Sequence, residues 1–555
     1  MKSVLILLLT LVSLAVSAHS SAQTMDHSSM HPAADALKER LGTVSFPVSC
    51  AESSQVYLNR GVALLHDFWY EEARKQFDQL VKSDPGCAMA HWGVAMSAFH
   101  QIWDRPDAEA MKLGWTEMQT AQSLNAGTAL ERGYIAALAG FYRPGSEDFP
   151  ARIGAYSTAM AGLYAQNPGN PDAGAFYGLA LLAAEAPNDT TLAQHHKAMA
   201  VLQPLLAEYP DNPGLVHYII HACDNPAMAA EGLAAADHYG EIAQSGPHAF
   251  HMPGHIYARL GLWPQDIASQ LGSIRASQVA EAHGENAVMD EPHSYDFVIY
   301  AYLQSGQDKR AKAALAESAA SLDMIASMPG MGSAYMAGMV PYYRTKLAAF
   351  YALEMRDWKI AAAMEPLAQS PPDVATLVYW VRAIADGHLR QPARARADLA
   401  RYDELIAEVR QGKNAYVADG TGAKIRRGEV KAWVSFAAGE TDAALKEMRA
   451  AAALQDKVGQ GEVDIPAREM LADMLLEVGQ PRQALVEYEV ALKLSPNRLN
   501  GLYNAGRAAE GAGDMSAARS YYGKLLNSTN NGSDSARPEF AHAAGFLSSA
   551  KSAGN

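Results

Sequence analysis

One spacing constrains this chain more than any other feature. His217 and His251 lie 34 residues apart, as do His221 and His255, His66 and His100, Trp69 and Trp103, and Ala484 and Ala518. A period in the range of roughly 20–50 residues belongs to chains that stack one supersecondary unit on the next, because no single unit can bury its apolar face alone. A period of that length has room for two helices of about four turns each plus their connections. The sequence shows no sustained alternation of apolar and polar residues of the kind a strand needs. The expectation is an all-α fold, an α-solenoid built from antiparallel helical hairpins.

Individual units are legible. In residues 59–85, NRGVALLHDFWYEEARKQFDQLVKSDP, Gly61 sits where a first helix needs a small residue. Ala73, Phe77 and Leu80 share one face of the second helix, and Pro85 ends the unit. Small residues let two helices approach, and an aromatic fills the groove between units. The pattern is clearest at 466–496, with Ala472, Gly479, Ala484, Tyr488, Ala491 and Pro496, and it continues at 500–526 with Gly506, Gly513 and Ala518. Turn signals punctuate the looser stretch between, at 143–150, 167–172, 186–189 and 209–214. Residues 413–429 read as a turn-rich connection, and 327–343 as a Gly- and Met-rich loop entering a helix.

At these positions the chain resembles the tetratricopeptide repeat (TPR) superfamily. The strings SFPVSC, ALLHDFWYEEA, CAMAHWG, HYIIHACDNP, PHAFHMPGHIYARLGLW and PARE are similar to those of a group of secreted bacterial TPR proteins. The resemblance implies a TPR-like superhelix whose concave groove takes a peptide, a partner protein or a small molecule. It implies no particular reaction, since function resides in sites grafted on folds.

The first 22 residues carry one Lys, an apolar run and small residues at 16 and 18, the form of a secretory signal peptide. That run is short for a membrane span, and no later segment is apolar for long enough. A periplasmic or secreted location follows. Residues 23–45 form a polar leader holding His27, His31, Met25 and Met30; then come a His-rich helical region at 46–345, a C-terminal repeat region at 346–526, and a linker with a capping tail at 527–555. The net charge of −15 and the lack of a basic run argue against nucleic acid as a partner. Of three cysteines, Cys50 and Cys87 lie in adjacent predicted helices and can pair in an oxidising compartment; three buried thiols are the alternative.

The chemistry concentrates between residues 217 and 300. His217, His221 and Asp224 are spaced i, i+4, i+7; His248, His251 and His255 are spaced i, i+3, i+7; His293, Asp296 and Tyr300 repeat the latter spacing. On a helix such residues stay within about 60° of arc. Aligned by repeat length, His217 faces His251 and His221 faces His255. Three successive helices would then point His, Asp and Tyr at one patch of the groove. Four or five imidazoles with one or two carboxylates suit one metal and its supporting shell, or two metals. The candidate ligands are His217, His221, Asp224, His248, His251, His255, His293 and Asp296. Copper comes first, given the His/Met leader and the compartment, then zinc or iron. Such a centre suits a metal-binding protein, or a metalloenzyme that keeps one coordination position open for water or substrate; the metal-free alternative is a TPR scaffold whose groove binds a peptide or partner protein. Pro253 and Gly254 threaten the middle helix with a distortion that would spoil the spacing. Glu285, Asp290 and Glu291 read as a solvated loop before His293, with support of the metal ligands as the alternative, and His66, Asp67 and His100 as a structural polar spot. Met324, Met328, Met331, Met336 and Met339 read as gap fillers. No phosphate-binding glycine loop, nucleophile elbow or HExxH motif is present.

Overall fold

The computed structural model describes residues 39–552, apart from 103–104, 126, 146, 187–188, 288–289, 329–333, 413–414 and 460. The signal segment 1–22, the leader as far as residue 38, Trp103 and Met331 therefore lie outside the described residues. Residues Arg40–Asn555 form one compact unit. Among the described residues it consists of helices joined by turns, with no strand.

Consecutive helices pack as antiparallel hairpins, and one contact recurs through the stack. The ring of Phe77 lies against Gly61, where an added Cβ would come within 2.5 Å of it. Tyr522 lies against Gly506 in the same way, again with a 2.5 Å approach. Ala472 and Tyr488 occupy these two places in another unit, both fully buried. In each pair the small residue precedes the aromatic by sixteen positions. A side chain the size of Phe77 contributes about 1.5–3 kcal/mol when buried, and only a small residue opposite lets the helices close over it. This is TPR packing, and the chain folds as a TPR-type solenoid.

Two local expectations are corrected. Residues 413–429 are not a turn-rich connection: Ala415–Asp419 and Thr421–Ala437 are helices. Gly420 stands at the N-cap in extended backbone, and Gly428 faces Ala451 of the next helix. Its glycines thus start the helix and let it pack. Pro253 and Gly254 do not interrupt their helix either, which runs unbroken from Pro247 to Leu260.

Five helices carry the site: α1 (Gln55–His66), α2 (Pro213–Cys223), α3 (Pro247–Leu260), α4 (Trp263–Ala282) and α5 (Asp290–Gln304). Helix α2 starts on Pro213 at its first position, with the Asn212 side chain accepting the Leu215 N–H at 3.1 Å. Helix α3 likewise starts on Pro247.

Segments distant in the chain close over these helices. From the N-terminal side, the turn after α1 brings Phe68 against α2 and α3, and Trp69 donates its indole N–H to the Asn286 carbonyl at 2.6 Å. From the C-terminal side, Tyr300 of α5 donates to the Asp464 carbonyl at 3.0 Å, and Leu499 N–H donates to Gln304 at 3.0 Å. Arg498, 1% exposed, joins Glu354 at 2.8 Å, Glu469 at 2.8 Å and the Tyr300 hydroxyl. A buried guanidinium persists only when paired this fully. Beneath these segments His217, His248 and His251 are buried, and His221, His255 and His293 are partly buried.

Candidate metal centre

The imidazoles sort into two sets. His217, His221 and His248 each offer a nitrogen within 4.8 Å of the other two, and so do His251, His255 and His293. The expected facing of His217 with His251 and His221 with His255 is corrected here. Helix α3 lies between α2 and α5, so its first turn meets α2 and its later turns meet α5. His248 therefore joins the α2 pair, while His251 and His255 join His293.

Hydrogen bonding determines which nitrogens carry protons. In the second set, Nδ1 of His251 lies 2.7 Å from Gln270 Oε1. The amide nitrogen of Gln270 points at Asp266 Oδ1, 3.1 Å away, and at the His251 carbonyl, 3.3 Å away. Oε1 must then be the acceptor, and His251 Nδ1 the donor. Nδ1 of His255 faces two carboxylates, Asp224 at 3.0 Å and Glu462 at 3.1 Å, and donates to them. The two Nε2 atoms meet at 2.9 Å. With both Nδ1 atoms protonated, two neutral rings would oppose lone pair to lone pair. A cation must lie between them, a proton in the metal-free chain. His293 adds a buried Nδ1 that hydrogen-bonds nothing among the described residues.

In the first set, Nδ1 of His217 donates to the His66 carbonyl at 2.6 Å, which leaves its Nε2 a bare lone pair. Nε2 of His217 and of His221 are buried and hydrogen-bond nothing among the described residues. Nδ1 of His248 pairs with Asp290 at 3.0 Å. Ring nitrogens held from behind by carbonyls and carboxylates are the arrangement that orients imidazole toward a metal.

The electrostatics divide the same way. Burial holds His217, His221, His251 and His293 well below the usual imidazole range, with neighbouring imidazoles adding to the effect. Burial and then the charge of His255 bring His248 down to about 3. His255 is the exception: burial works against its charge, but Asp224 and Glu462 raise it to about 10. Neutral imidazoles keep their lone pairs for a metal at neutral pH.

The two aspartates expected as ligands take different places. Asp224 lies against His255 and accepts from Arg259 Nε at 3.0 Å, and with His255 and Glu462 it forms a further group whose ligand atoms lie within 4.8 Å of one another. Arg259 also lies 3.3 Å from Glu462 and already supplies the cation for that carboxylate pair. Asp296 is buried against the Lys346 ammonium, and no candidate ion group among the described residues includes it. The loop reading of Asp290 and Glu291 is corrected: both begin α5, Glu291 is buried, and Asp290 holds His248. Burial pushes the Asp290 carboxyl up to about 7. His66 is structural, tied to Tyr218 at 3.0 Å and Asp172 at 3.1 Å, while its carbonyl fixes His217. Gln270, Glu462 and Phe68 carried no sequence signal. Gln270 reaches His251 because residue 254 lacks a side chain: a Cβ there would lie 1.9 Å from Gln270 Nε2.

Cys50 and Cys87 are joined in a disulfide, and Cys223 is free and buried. The bonded sulfurs are no longer thiolates, so their proximity to Asp84 makes no metal site.

No protein-family model matches the chain, and no curated protein matches its sequence. Solved structures with similarity include yeast Tom70, at 10% identity and a TM-score of 0.34, covering 90% of this chain and 96% of that one. A human IFIT1 dimer is similar at 11% identity and a TM-score of 0.35, covering 89% and 99%. The TPR domain of P58(IPK) follows at 11% identity and a TM-score of 0.21, covering 90% and 99%. The helical-hairpin solenoid fold of this chain is read from its own recurring helix contact.

Proposed function

We propose that this chain is a periplasmic or secreted TPR-type solenoid that binds a metal ion between its central helices, copper first, then zinc or iron. The observation that carries the proposal is the 2.9 Å approach of His251 Nε2 to His255 Nε2, each ring pinned at Nδ1 by an acceptor. That geometry calls for a cation, and the buried Nδ1 of His293, which hydrogen-bonds nothing among the described residues, has no use in a proton-only arrangement. Around a bound zinc or copper ion, ligand nitrogens at about 2.0–2.1 Å from the metal stand ~3.4 Å apart. Modest side-chain rotation brings the three rings to that spacing. His251 and His293 offer neutral nitrogens, and His255 offers its own once the ion displaces its proton; nitrogen donors suit copper, zinc and iron over magnesium or calcium.

An oxidising compartment agrees with the Cys50–Cys87 disulfide and with the signal-like first residues. Among the described residues no helix is long and apolar enough to cross a membrane.

The test is elemental analysis of the purified protein, followed by metal removal and thermal melting. A stoichiometric first-row metal is expected, with a lower melting temperature after chelation that metal restores. His255→Gln should abolish that rescue. A protein that purifies without metal and gains no stability from copper, zinc or iron would instead be a metal-free TPR scaffold for a peptide or protein.

A further inference from the structure

We infer that the central helices form a two-metal centre, with a second ion held by His217, His221 and His248 beside the one held by His251, His255 and His293. This rests on the metal-binding role proposed above and extends it. The first set has its own supporting atoms, distinct from those of the second. The His66 carbonyl fixes His217, and Asp290 fixes His248. His217 and His221, one turn apart on α2, have ring centroids 4.7 Å apart, and each buries an Nε2 without a hydrogen bond among the described residues.

Among the described residues no donor meets those lone pairs. Phe68 covers the set: its ring stacks on His221 at 5.4 Å and on His248 at 5.6 Å, and meets His217 edge-on at 4.4 Å. Phe68 does so with φ at +55°, a left-handed conformation that a bulky side chain rarely adopts. Backbone strain of this kind gathers at functional sites. Imidazoles packed into a merely structural core would be expected to find partners for both ring nitrogens. Here His217 and His221 each bury an Nε2 that meets no partner among the described residues, beside the Phe68 ring.

The two sets abut. His248 and His251 are three residues apart on α3, with ring centroids 5.7 Å apart, and each belongs to a different set. Ions so placed share one enclosure, as in dinuclear sites whose metals stand about 3.5–4 Å apart. The sets differ in their carboxylate backing: Asp224 and Glu462, bridged by Arg259, hold the second set through His255, and Asp290 holds the first through His248. The second set should load first, and the first set only when a second equivalent is added.

The experiment uses the full chain with His27→Gln and His31→Gln, so that the leader cannot contribute ligands, stripped of metal and titrated with copper(II). Two equivalents are expected, bound in two distinguishable steps. His221→Gln should leave one equivalent at the tighter affinity; His293→Gln should lose the tighter step. Electron paramagnetic resonance of the fully loaded chain should show a half-field line from two coupled copper(II) ions, which His221→Gln removes. Far-ultraviolet circular dichroism of each variant separates loss of a ligand from loss of the fold. One equivalent in the unsubstituted helices, or two ions with the spectrum of isolated copper(II), would overturn the two-metal centre while leaving the single site intact. No bound equivalent at all would overturn both.

Discussion

Gln270→Leu removes the residue that sets the His251 tautomer. Gln270 is fully buried. It accepts from His251 Nδ1 at 2.7 Å and donates to Asp266 Oδ1 at 3.1 Å. Leucine has nearly the same shape and neither polar atom. It leaves a buried N–H without an acceptor and a buried carboxyl without a donor. Each orphaned group costs about 1–3 kcal/mol, so the metal-free chain should lose about 2–6 kcal/mol of stability. The metal consequence is separate. Without the acceptor, the His251 proton can move to Nε2, the nitrogen that faces His255, and loss of such a supporting partner typically costs about 10–100-fold in metal affinity. Gln270→Glu provides the discriminating comparison: a carboxylate still accepts from Nδ1–H and makes the ring more basic, so affinity should hold or rise. The assays are urea denaturation of the metal-free protein and competition with a chromophoric chelator. An affinity for Gln270→Leu equal to that of the parent chain would refute the assignment of Nε2 as the ligating nitrogen of His251.

Four further outcomes are expected. Gly254→Ala places a methyl group where Gln270 must lie, so it should weaken metal binding in the same direction as Gln270→Leu, checked by the same chelator competition. Arg498→Met strips the cation from two buried carboxylates and the Tyr300 contact; a loss of about 3–5 kcal/mol is expected in chemical denaturation, and a loss below 1 kcal/mol would show that the C-terminal helices dock by other contacts. Cys50→Ala opens a loop with a sequence separation of 37 residues, for which chain entropy gives about 3–4 kcal/mol, read as a fall in the urea midpoint absent under reducing conditions. Finally, the metal-free protein should be acid-labile. His217, His221, His251 and His293 are held well below 6.5 and His248 at about 3, so on unfolding they take up protons that the folded state excludes. Their contribution is complete above pH ~6.5 and falls by about 1.4 kcal/mol per pH unit for each imidazole below it. His255, raised to about 10, has the opposite sign and loses its contribution only as pH climbs through that value. A flat stability profile between pH 7 and 5 would contradict the burial of neutral imidazoles.

The repeating fold was written into the chain at the level of local chemistry. A small residue followed sixteen places later by an aromatic, and histidines returning after 34, are enough to specify hairpin helices and their stacking, because both depend on contacts between near neighbours in sequence. All six imidazoles of the two sets were legible for the same reason: they fall on three helices at helical spacing. Which imidazole meets which was not legible. Repeat alignment pairs equivalent positions, but a helix packed between two others divides its turns between them, so His248 and His251 part company.

The supporting atoms belong wholly to the tertiary structure. The His66 carbonyl, Glu462 and Gln270 reach the imidazoles from 151, 207 and 19 residues away. Asp296 shows the converse: spacing puts it on the histidine face of α5, and a lysine fifty residues downstream claims it. Periodicity fixes the direction of a side chain from its own helix. It carries no information about what distant segments bring to meet it, and the burial of these rings, their protonation and their partners all come from that meeting.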